Sequence, residues 1–461
     1  MPSELQPGVD ALTRELRRGP AAAPDLARAL GVSQPTFSRL VARDGGQGVL
    51  VTGRARATRY AARRRIERVG DRAPLFAIDE AGAPRRLAVL HAIEPRGFFV
   101  EALDADVAGG FFDDLPWFLH DLRPSGFLGR LVPRLHPELP VPREIGLWSG
   151  DHALMYLAAH GADAIGELVV GDDALGQALE HVRAAAPEAS DLGLVPRSKR
   201  GARYARLAEA ALASGLPGSS AAGEQPKFLA VREPGVAVLV KFSPALDGGD
   251  VATRTADLLV AEHLAHEVVR AAGHDAATSE LALGGGRLFL EVERFDRVAL
   301  ADGGFGRRGV LSFAAADSEH VGHLESWVDT ARALIAGRLV DAAIEPAVRW
   351  RAAFGRLIAN SDMHHGNAAF LARGTRLLGL APVYDMLPMA YAPRGGNVLT
   401  PAFAVRAPSG ADLDVWPSAR AAAEALWRKV AEHRLVSEGF RAIARDNAQA
   451  LAGAARYVRG G

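Results

Sequence analysis

The chain has 461 residues, of which 54 are basic and 54 acidic, so its formal net charge is zero. Hydrophobic residues make up 49% of it, enough for a sizeable core, and the length predicts roughly two to four domains. The absence of cysteine excludes disulfide scaffolds, thiolate zinc sites, iron–sulfur clusters and a cysteine nucleophile. Residues 1–19 lack the apolar core of a signal peptide, and no apolar stretch reaches about 20 residues. We therefore expect a soluble cytoplasmic protein that does not associate with membranes.

Charge is distributed unevenly along the chain. Residues 1–72 contain 14 arginines and 7 acidic residues, a net charge of +7, and the remaining 389 residues carry −7. Such asymmetry is typical of a nucleic-acid-binding module joined to a second functional unit. Lysine is rare, with four lysines (positions 199, 227, 241 and 429) against 50 arginines. Each lysine is therefore a candidate for a site that needs a compact ammonium group.

The N-terminal segment has the pattern of a winged helix-turn-helix. Residues 24–30 and 34–41 favour two helices separated by a Gly-Val-Ser turn, with Ser33 as the N-cap of the second helix. Short segments at 49–53 and 54–60 would then form a basic β-wing.

The second helix of such a module enters the major groove of DNA, and the wing contacts phosphates. The predicted DNA-binding residues are Gln34, Thr36, Ser38 and Arg39 on the helix and Arg54, Arg56 and Arg59 on the wing. A small helical domain with a solvated arginine face, or one that contacts proteins, fits the same pattern.

The rest of the chain alternates between strand and helix patterns. Strands are expected at 75–78, 87–93, 98–100, 236–242 and 287–294, and helices at 172–187, 250–273, 324–358 and 417–457. Residues 195–201 read as a loop, and the helix at 250–273 reads as amphipathic. Aromatic residues between 115 and 142 are expected to belong to the core.

Residues 360–367 read NSDMHHGN, which has the Asp-x4-Asn spacing of a kinase catalytic loop. In that loop the aspartate, here Asp362, accepts the proton of the substrate hydroxyl, and the asparagine, here Asn367, holds Mg²⁺. Asp385 follows a strand 18 residues after Asn367, where kinases keep their second Mg²⁺ ligand. His364 and His365 are adjacent on the loop and are not expected to share a metal.

Two lysines fit a nucleotide site. Lys241 ends the apolar strand 236–242, and a buried lysine is costly unless it meets an anion, which in kinases is the nucleotide phosphate. Residues 218–227 (GSSAAGEQPK) end at Lys227 and contain the small residues that let backbone N–H groups approach phosphate. This loop does not have the spacing of a P-loop.

Six segments occur together in one order. They are GSSAAGEQPK (218–227), VLVKFS (238–243), AEHLAHEVVRAAG (261–273), LEVERFDR (290–297), ANSDMHHGNAAFL (359–371) and LAPVYDMLP (380–388). With them the chain resembles the HipA family of serine/threonine kinases, the toxins of bacterial toxin–antitoxin systems. The N-terminal helix-turn-helix and the segment LPWFLHDLRPSGFLG (115–129) resemble the YjjJ-type branch, in which a DNA-binding-like domain is fused to the kinase.

The resemblance implies a role for each matching residue. Asp362 matches the catalytic aspartate, Asn367 and Asp385 the Mg²⁺ ligands, and Ser220, or its neighbour Ser219, the autophosphorylated loop serine. The implied nucleotide-binding residues are Lys241, Lys227, His364 and the hinge residues Glu293 and Phe295. ATP and Mg²⁺ are the implied cofactors. The implied partners are a protein substrate, DNA and an antitoxin.

The resemblance also implies an α+β architecture. It comprises a winged helix-turn-helix (1–70), a small mixed α/β subdomain (71–205), a kinase N-lobe-like nucleotide-binding region (206–300) and a helical C-lobe with catalytic and metal loops (301–461). The last two would form a two-lobed protein-kinase-like core. The implied function is a growth-arresting protein kinase whose N-terminal domain binds DNA or inhibits the enzyme.

Two other functions fit the same residues. The chain could be a DNA-binding regulator whose kinase-like part senses nucleotides, although the intact set Lys241, Asp362, Asn367 and Asp385 argues against a dead enzyme. It could also be a metal-dependent DNase that uses His364, His365 and Asp362, which would cleave DNA without ATP.

Overall fold

The computed structural model describes residues 6–183, 194–213, 225–301, 303–323 and 325–458. The expected autophosphorylation serines, Ser219 and Ser220, lie outside these ranges. Within them the chain folds into mixed α and β structure, and no helix is long and apolar enough to span a membrane.

The N-terminal module is a three-helix unit with a two-stranded antiparallel sheet. Its elements are α1 (Gln6–Leu16), α2 (Ala23–Ala29), α3 (Gln34–Asp44), β1 (Val49–Thr52) and β2 (Arg59–Ala62). Ser33 caps α3 as expected, because its hydroxyl accepts from the N–H of Thr36 at 3.4 Å. Leu12, Leu26 and Phe37 lie in one small core that holds the three helices together.

The middle module combines a five-stranded antiparallel sheet with helices that precede and follow its last strand. Its elements are β3 (Arg72–Ile78), β4 (Pro84–Ala92), β5 (Phe98–Ala102), β6 (Gly110–Phe112), α4 (Gly126–Leu135), α5 (Gly150–His160), β7 (Leu168–Val170) and α6 (Asp172–Arg183). The strand order is β6-β5-β4-β3-β7. Trp117 and Phe118 are buried in the main core, in agreement with the expectation for the aromatic segment.

A four-stranded antiparallel sheet follows. Its elements are α7 (Arg200–Ala213), β8 (Lys227–Arg232), β9 (Val236–Phe242), α8 (Asp250–Ala271), β10 (Ser279–Gly284) and β11 (Arg287–Glu293), in the order β10-β11-β9-β8. The α7 helix begins inside the segment expected to be a loop and crosses the expected boundary at 205/206. The buried Tyr204 packs its ring on Phe228 and Phe289, which ties α7 to this sheet.

The C-terminal part is mainly helical and contains a small three-stranded sheet. Its elements are β12 (Arg297–Ala299), β13 (Phe305–Arg307), β14 (Gly309–Ser312), α9 (Phe313–His320), α10 (Trp327–Ala336), α11 (Glu345–Leu357), β15 (Ala369–Arg373), β16 (Arg376–Leu380), α12 (Trp416–Glu432) and α13 (Glu438–Gly453). Strands β14, β15 and β16 pair in that order. Trp427 is fully buried between α11, which accepts its indole N–H at the Leu357 carbonyl, and Phe440 of α13.

The α8 helix differs from the amphipathic helix that its sequence predicts. It is buried around most of its circumference, including the charged Arg254, Asp257 and Glu262. It contacts the sheet strands β9, β10 and β11 on one side and α12 on the other. A helix covered on both sides needs partners for its polar groups, and Asp257 finds one in Ser437, which donates from both N–H and hydroxyl.

Candidate active site

Lys241 lies on β9, between β8 and β11, and only 5% of it is exposed. Its Nζ donates to both carboxylate oxygens of Glu262, at 2.7 and 2.9 Å, and to the carboxylate of Asp385. The buried ammonium therefore meets anions, as expected of a lysine inside a sheet. Here the anions are two carboxylates, one from α8 and one from the loop that follows β16.

Glu262 is a site residue that the sequence reasoning missed. It is 1% exposed, and its carboxylate faces Lys241 rather than solvent. Protein kinases pair a strand lysine with a helix glutamate in the same way. This kinase pattern could have identified Glu262 from the sequence, since Glu262 lies on the first long helix after the lysine strand.

The charges in this cluster depend on one another. Burial acts to raise the pKa of Asp385, but Lys241 and then Lys227 hold it well below its ordinary value. Burial acts to lower the pKa of Lys241, but the carboxylates of Asp385 and Glu262 raise it above its ordinary value. Burial and the charge of Lys241 lower the pKa of the neighbouring His266 to about 3. His266 is therefore neutral and lies beside the ionised pair of Lys241 and Asp385.

The backbone at Asp385 is left-handed, with φ of 48°. This region is rare for residues other than glycine, although aspartate and asparagine tolerate it best. Two residues earlier, Val383 is fixed by backbone hydrogen bonds to Asp275 and Ala277, each 2.9 Å long. The anchored strand and the sharp turn after it bring the Asp385 carboxylate to Lys241.

The loop that carries Asp362 is held from its inner side. The buried Asn360 accepts from the N–H of Asp362 at 3.0 Å, and the Asn367 amide donates to the Asp362 carbonyl at 2.8 Å. The Tyr384 hydroxyl donates to the carbonyl of Gly366 at 2.9 Å, which joins this loop to the residue before Asp385. With its backbone fixed, the loop presents the Asp362 side chain to solvent, where a substrate hydroxyl could reach it.

The oxygen donors near this loop suit Mg²⁺. Asp385 supplies a carboxylate with a third of its side chain exposed, and Asn367 supplies an amide oxygen because its nitrogen is used by Asp362. Hard oxygen donors of this kind are the ligands that Mg²⁺ prefers. Asn367 and Asp385 therefore offer donor atoms of the kind that Mg²⁺ binds, and their role as its ligands stays a prediction.

The other expected nucleotide-binding residues lie around the same sheet. Lys227 begins β8 and pairs across the sheet with Lys241. Glu293 ends β11, where Arg232 donates to its carboxylate at 2.7 Å. The ring of Phe295 lies 5.9 Å from the ring of Tyr384, centroid to centroid, so the hinge segment and the Asp385 loop are neighbours.

An ion-pair cluster behind the hinge was also missed. Arg294 and Arg297, both buried or nearly so, donate to Asp163 of the middle module at 2.7 and 2.9 Å. Both also donate to Asp296, at 3.0 and 2.6 Å. The hinge segment is thereby hydrogen-bonded to the middle module, about 130 residues away in sequence.

The two adjacent histidines point in different directions. The Nδ1 atom of His364, an exposed residue, accepts from the N–H of Gly366 at 3.0 Å. His365 is buried, and its Nε2 lies 2.9 Å from the hydroxyl of Thr330. Among the described residues, neither histidine belongs to a group of three or more side chains that could hold a metal ion, as the DNase hypothesis would require.

The residues expected to bind DNA are all in the N-terminal module. Gln34, Ser38 and Arg39 are exposed on α3, and Arg54, Arg56 and Arg59 are exposed in and beside the turn between β1 and β2. Thr36 is half-buried, and its hydroxyl is engaged by Ser33 at 3.0 Å and by Arg39 at 3.3 Å. The Thr36 hydroxyl therefore contacts side chains at the start of α3, and its role in DNA binding stays a prediction.

Comparison with known proteins covers nearly the whole chain. The family model for the middle domain of YjjJ-like toxins matches residues 69–179, and the model for the HipA-like C-terminal domain matches residues 219–454. Toxin YjjJ of Escherichia coli (strain K12) is 37% identical over 444 residues, which are 94% of this chain and 96% of that protein. The second family match contains every residue expected to bind nucleotide or metal.

Solved structures of similar fold include one of a HipA protein. It is HipA of Shewanella oneidensis MR-1, determined in complex with HipB and its operator DNA. The match has a TM-score of 0.54 and 15% sequence identity, and it covers 84% of this chain and 97% of that one. At this identity the similarity concerns the fold.

Proposed function

Because the chain belongs to the YjjJ-like branch of the HipA family of toxins, we propose that it is an ATP- and Mg²⁺-dependent protein serine/threonine kinase. In this proposal it arrests growth by phosphorylating a cellular protein in the cytoplasm. The observation that carries the proposal is the buried cluster of Lys241, Glu262 and Asp385, joined through Tyr384 to the loop of Asp362 and Asn367.

Each residue would act through the contact that the fold gives it. Glu262 holds the Lys241 ammonium in place, so that it can bind nucleotide phosphate without having to be ordered first. Asp362, exposed at the tip of a fixed loop, accepts the proton of the substrate hydroxyl as the phosphoryl group transfers. When bound by Asn367 and Asp385, Mg²⁺ supplies positive charge beside the transferred group.

The proposal includes autophosphorylation at Ser220, with Ser219 as the adjacent candidate. A phosphoserine adds about −1.5 to −2 charges at neutral pH. Placed beside the nucleotide phosphates, it would repel ATP or displace the loop, so the modified enzyme would be inactive.

The test uses the purified full chain with labelled ATP and Mg²⁺, with and without plasmid DNA. We expect label on the protein, and phosphate at Ser219 or Ser220 by mass spectrometry. Asp362→Asn should fold normally and lose the label, while the exposed control Asp173→Asn keeps it. Label retained by Asp362→Asn would contradict the role of Asp362. ATP binding without transfer would favour a nucleotide sensor, and plasmid cleavage without ATP would favour a nuclease.

We further propose that the N-terminal module is a winged helix-turn-helix that binds DNA for autoregulation or inhibits the kinase as a built-in antitoxin would. It is supported by two helices joined by a short turn, a two-stranded wing and six exposed candidate side chains. The proposal also includes a separate antitoxin as a partner, since the HipA of similar fold was solved with HipB and operator DNA. A change in the labelling of the protein by ATP when DNA is added would link DNA binding to the kinase activity.

A further inference from the structure

Two histidines and a glutamate converge in the middle module and share no residue with the proposed kinase site. His136 directly follows α4, Glu138 lies two residues later, and His160 is the last residue of α5. A single carboxylate oxygen, Oε1 of Glu138, lies 2.9 Å from Nε2 of His160 and 3.3 Å from Nδ1 of His136. All three ligand atoms lie within 4.8 Å of one another.

These spacings match those between the ligands of a tetrahedral ion. With zinc–nitrogen and zinc–oxygen bonds of about 2.0–2.2 Å, neighbouring ligand atoms in a tetrahedron are about 3.3–3.5 Å apart. The 3.3 Å separation lies at that value, the 2.9 Å separation is shorter by roughly half an ångström, and the two histidine nitrogens lie within 4.8 Å of each other. Two histidines with one glutamate also form an established zinc ligand set that leaves a position for water.

The surroundings favour a cation at this point. Both α4 and α5 end at the cluster, and a helix C-terminus carries a partial negative charge of about half an elementary charge. The His136 and His160 rings are stacked with centroids 3.7 Å apart, which holds the two imidazoles side by side.

We propose that His136, Glu138 and His160 bind a divalent transition-metal ion of the zinc class, with water as the fourth ligand. The ion would fasten the end of α4 to the end of α5. Helix α4 also packs against β8, the strand that begins with Lys227. The ion would therefore stabilise a helix that supports the nucleotide-binding sheet. In a chain without cysteine, imidazole and carboxylate are the groups from which such a site can be built. The proposal is independent of the kinase activity.

The test uses the untagged full chain, stripped with chelator and titrated with Zn²⁺ and, separately, with Co²⁺. We expect one ion per chain, with the visible absorption of tetrahedral cobalt. His160→Gln and Glu138→Gln should each weaken binding by at least about tenfold, the lower bound seen when even a supporting residue is removed. The exposed His181→Gln on α6 is the matched control and should bind as the unmodified chain does.

Thermal unfolding provides a second readout that does not depend on the yield of any one variant. Zinc should raise the unfolding temperature of the unmodified chain and of His181→Gln, and leave that of His160→Gln unchanged. Absence of stoichiometric binding by the unmodified chain would overturn the proposal and leave a hydrogen-bonded His–Glu–His cluster. Equal affinity in all variants would overturn it as well, because the ion would then bind elsewhere.

Discussion

Replacing Lys241 by methionine tests whether the ammonium neutralises a buried carboxylate. The substitution keeps much of the side-chain volume and leaves Glu262, which is 1% exposed, without its cation. Removing one partner of a buried ion pair costs about 3–5 kcal/mol. We expect the lower end, about 3 kcal/mol, because a third of the Asp385 side chain is exposed and water can take the place of the ammonium there.

The loss should depend on pH in a defined direction. Burial raises the pKa of Glu262 even with Lys241 present, and without the lysine the increase is larger. A carboxyl group whose pKa is higher in the folded than in the unfolded state destabilises the fold as the pH rises. Between its unfolded and its folded pKa, the free energy of unfolding falls by about 1.4 kcal/mol for each pH unit. The deficit of Lys241→Met should therefore be smaller at pH 5.5 than at pH 8.

The assay is urea unfolding followed by circular dichroism at both pH values, together with labelling by ATP. The double variant Lys241→Met/Glu262→Leu removes the unpaired charge and should recover most of the lost stability without recovering phosphorylation. Lys429→Met is the matched control, because Lys429 pairs with Glu267 at the surface, and it should cost less than about 1 kcal/mol. A Lys241→Met variant as stable as the unmodified chain would refute this role of the ammonium, and so would a double variant less stable than Lys241→Met.

Three other substitutions test separate contacts. Asp163→Asn should cost about 1–2 kcal/mol in urea unfolding at pH 7, less than a fully buried pair because 40% of the Asp163 side chain is exposed. Arg294 and Arg297 lower the pKa of Asp163 against the effect of burial, so the stability that its carboxylate contributes is present above about pH 4 and is lost in acid. A stability difference between Asp163→Asn and the unmodified chain that persists in acid would contradict this account. Asp385→Asn should fold, because asparagine tolerates φ of 48°, and should phosphorylate at least about 100-fold more slowly; unchanged labelling would remove Asp385 from the site. In DNA titrations at several salt concentrations, Arg56→Ala should weaken binding and reduce the salt slope by about 1, and an unreduced slope would place Arg56 away from phosphate.

The sequence determined the features that depend on neighbouring residues. Local propensity and the spacing of apolar residues account for the N-cap at Ser33, the two helices around a glycine turn and the strand that carries Lys241. The spacing between Asp362 and Asn367 and the position of Asp385 after a strand are also local. These features, read in their order along the chain, were enough to indicate the family.

Only the tertiary structure decided which distant residues meet. Glu262 reaches Lys241 across 21 positions, Asp163 reaches Arg294 across 131, and His160 meets Glu138 across 22. Nothing in the local pattern around Asp163 or Glu138 separates them from the many exposed acidic residues of the chain. The burial of α8 on both sides was hidden for the same reason, because it depends on the sheet and on α12, which pack against it from distant parts of the chain. Local propensity sets the elements, whereas the partner of a buried charge is set by which elements pack together.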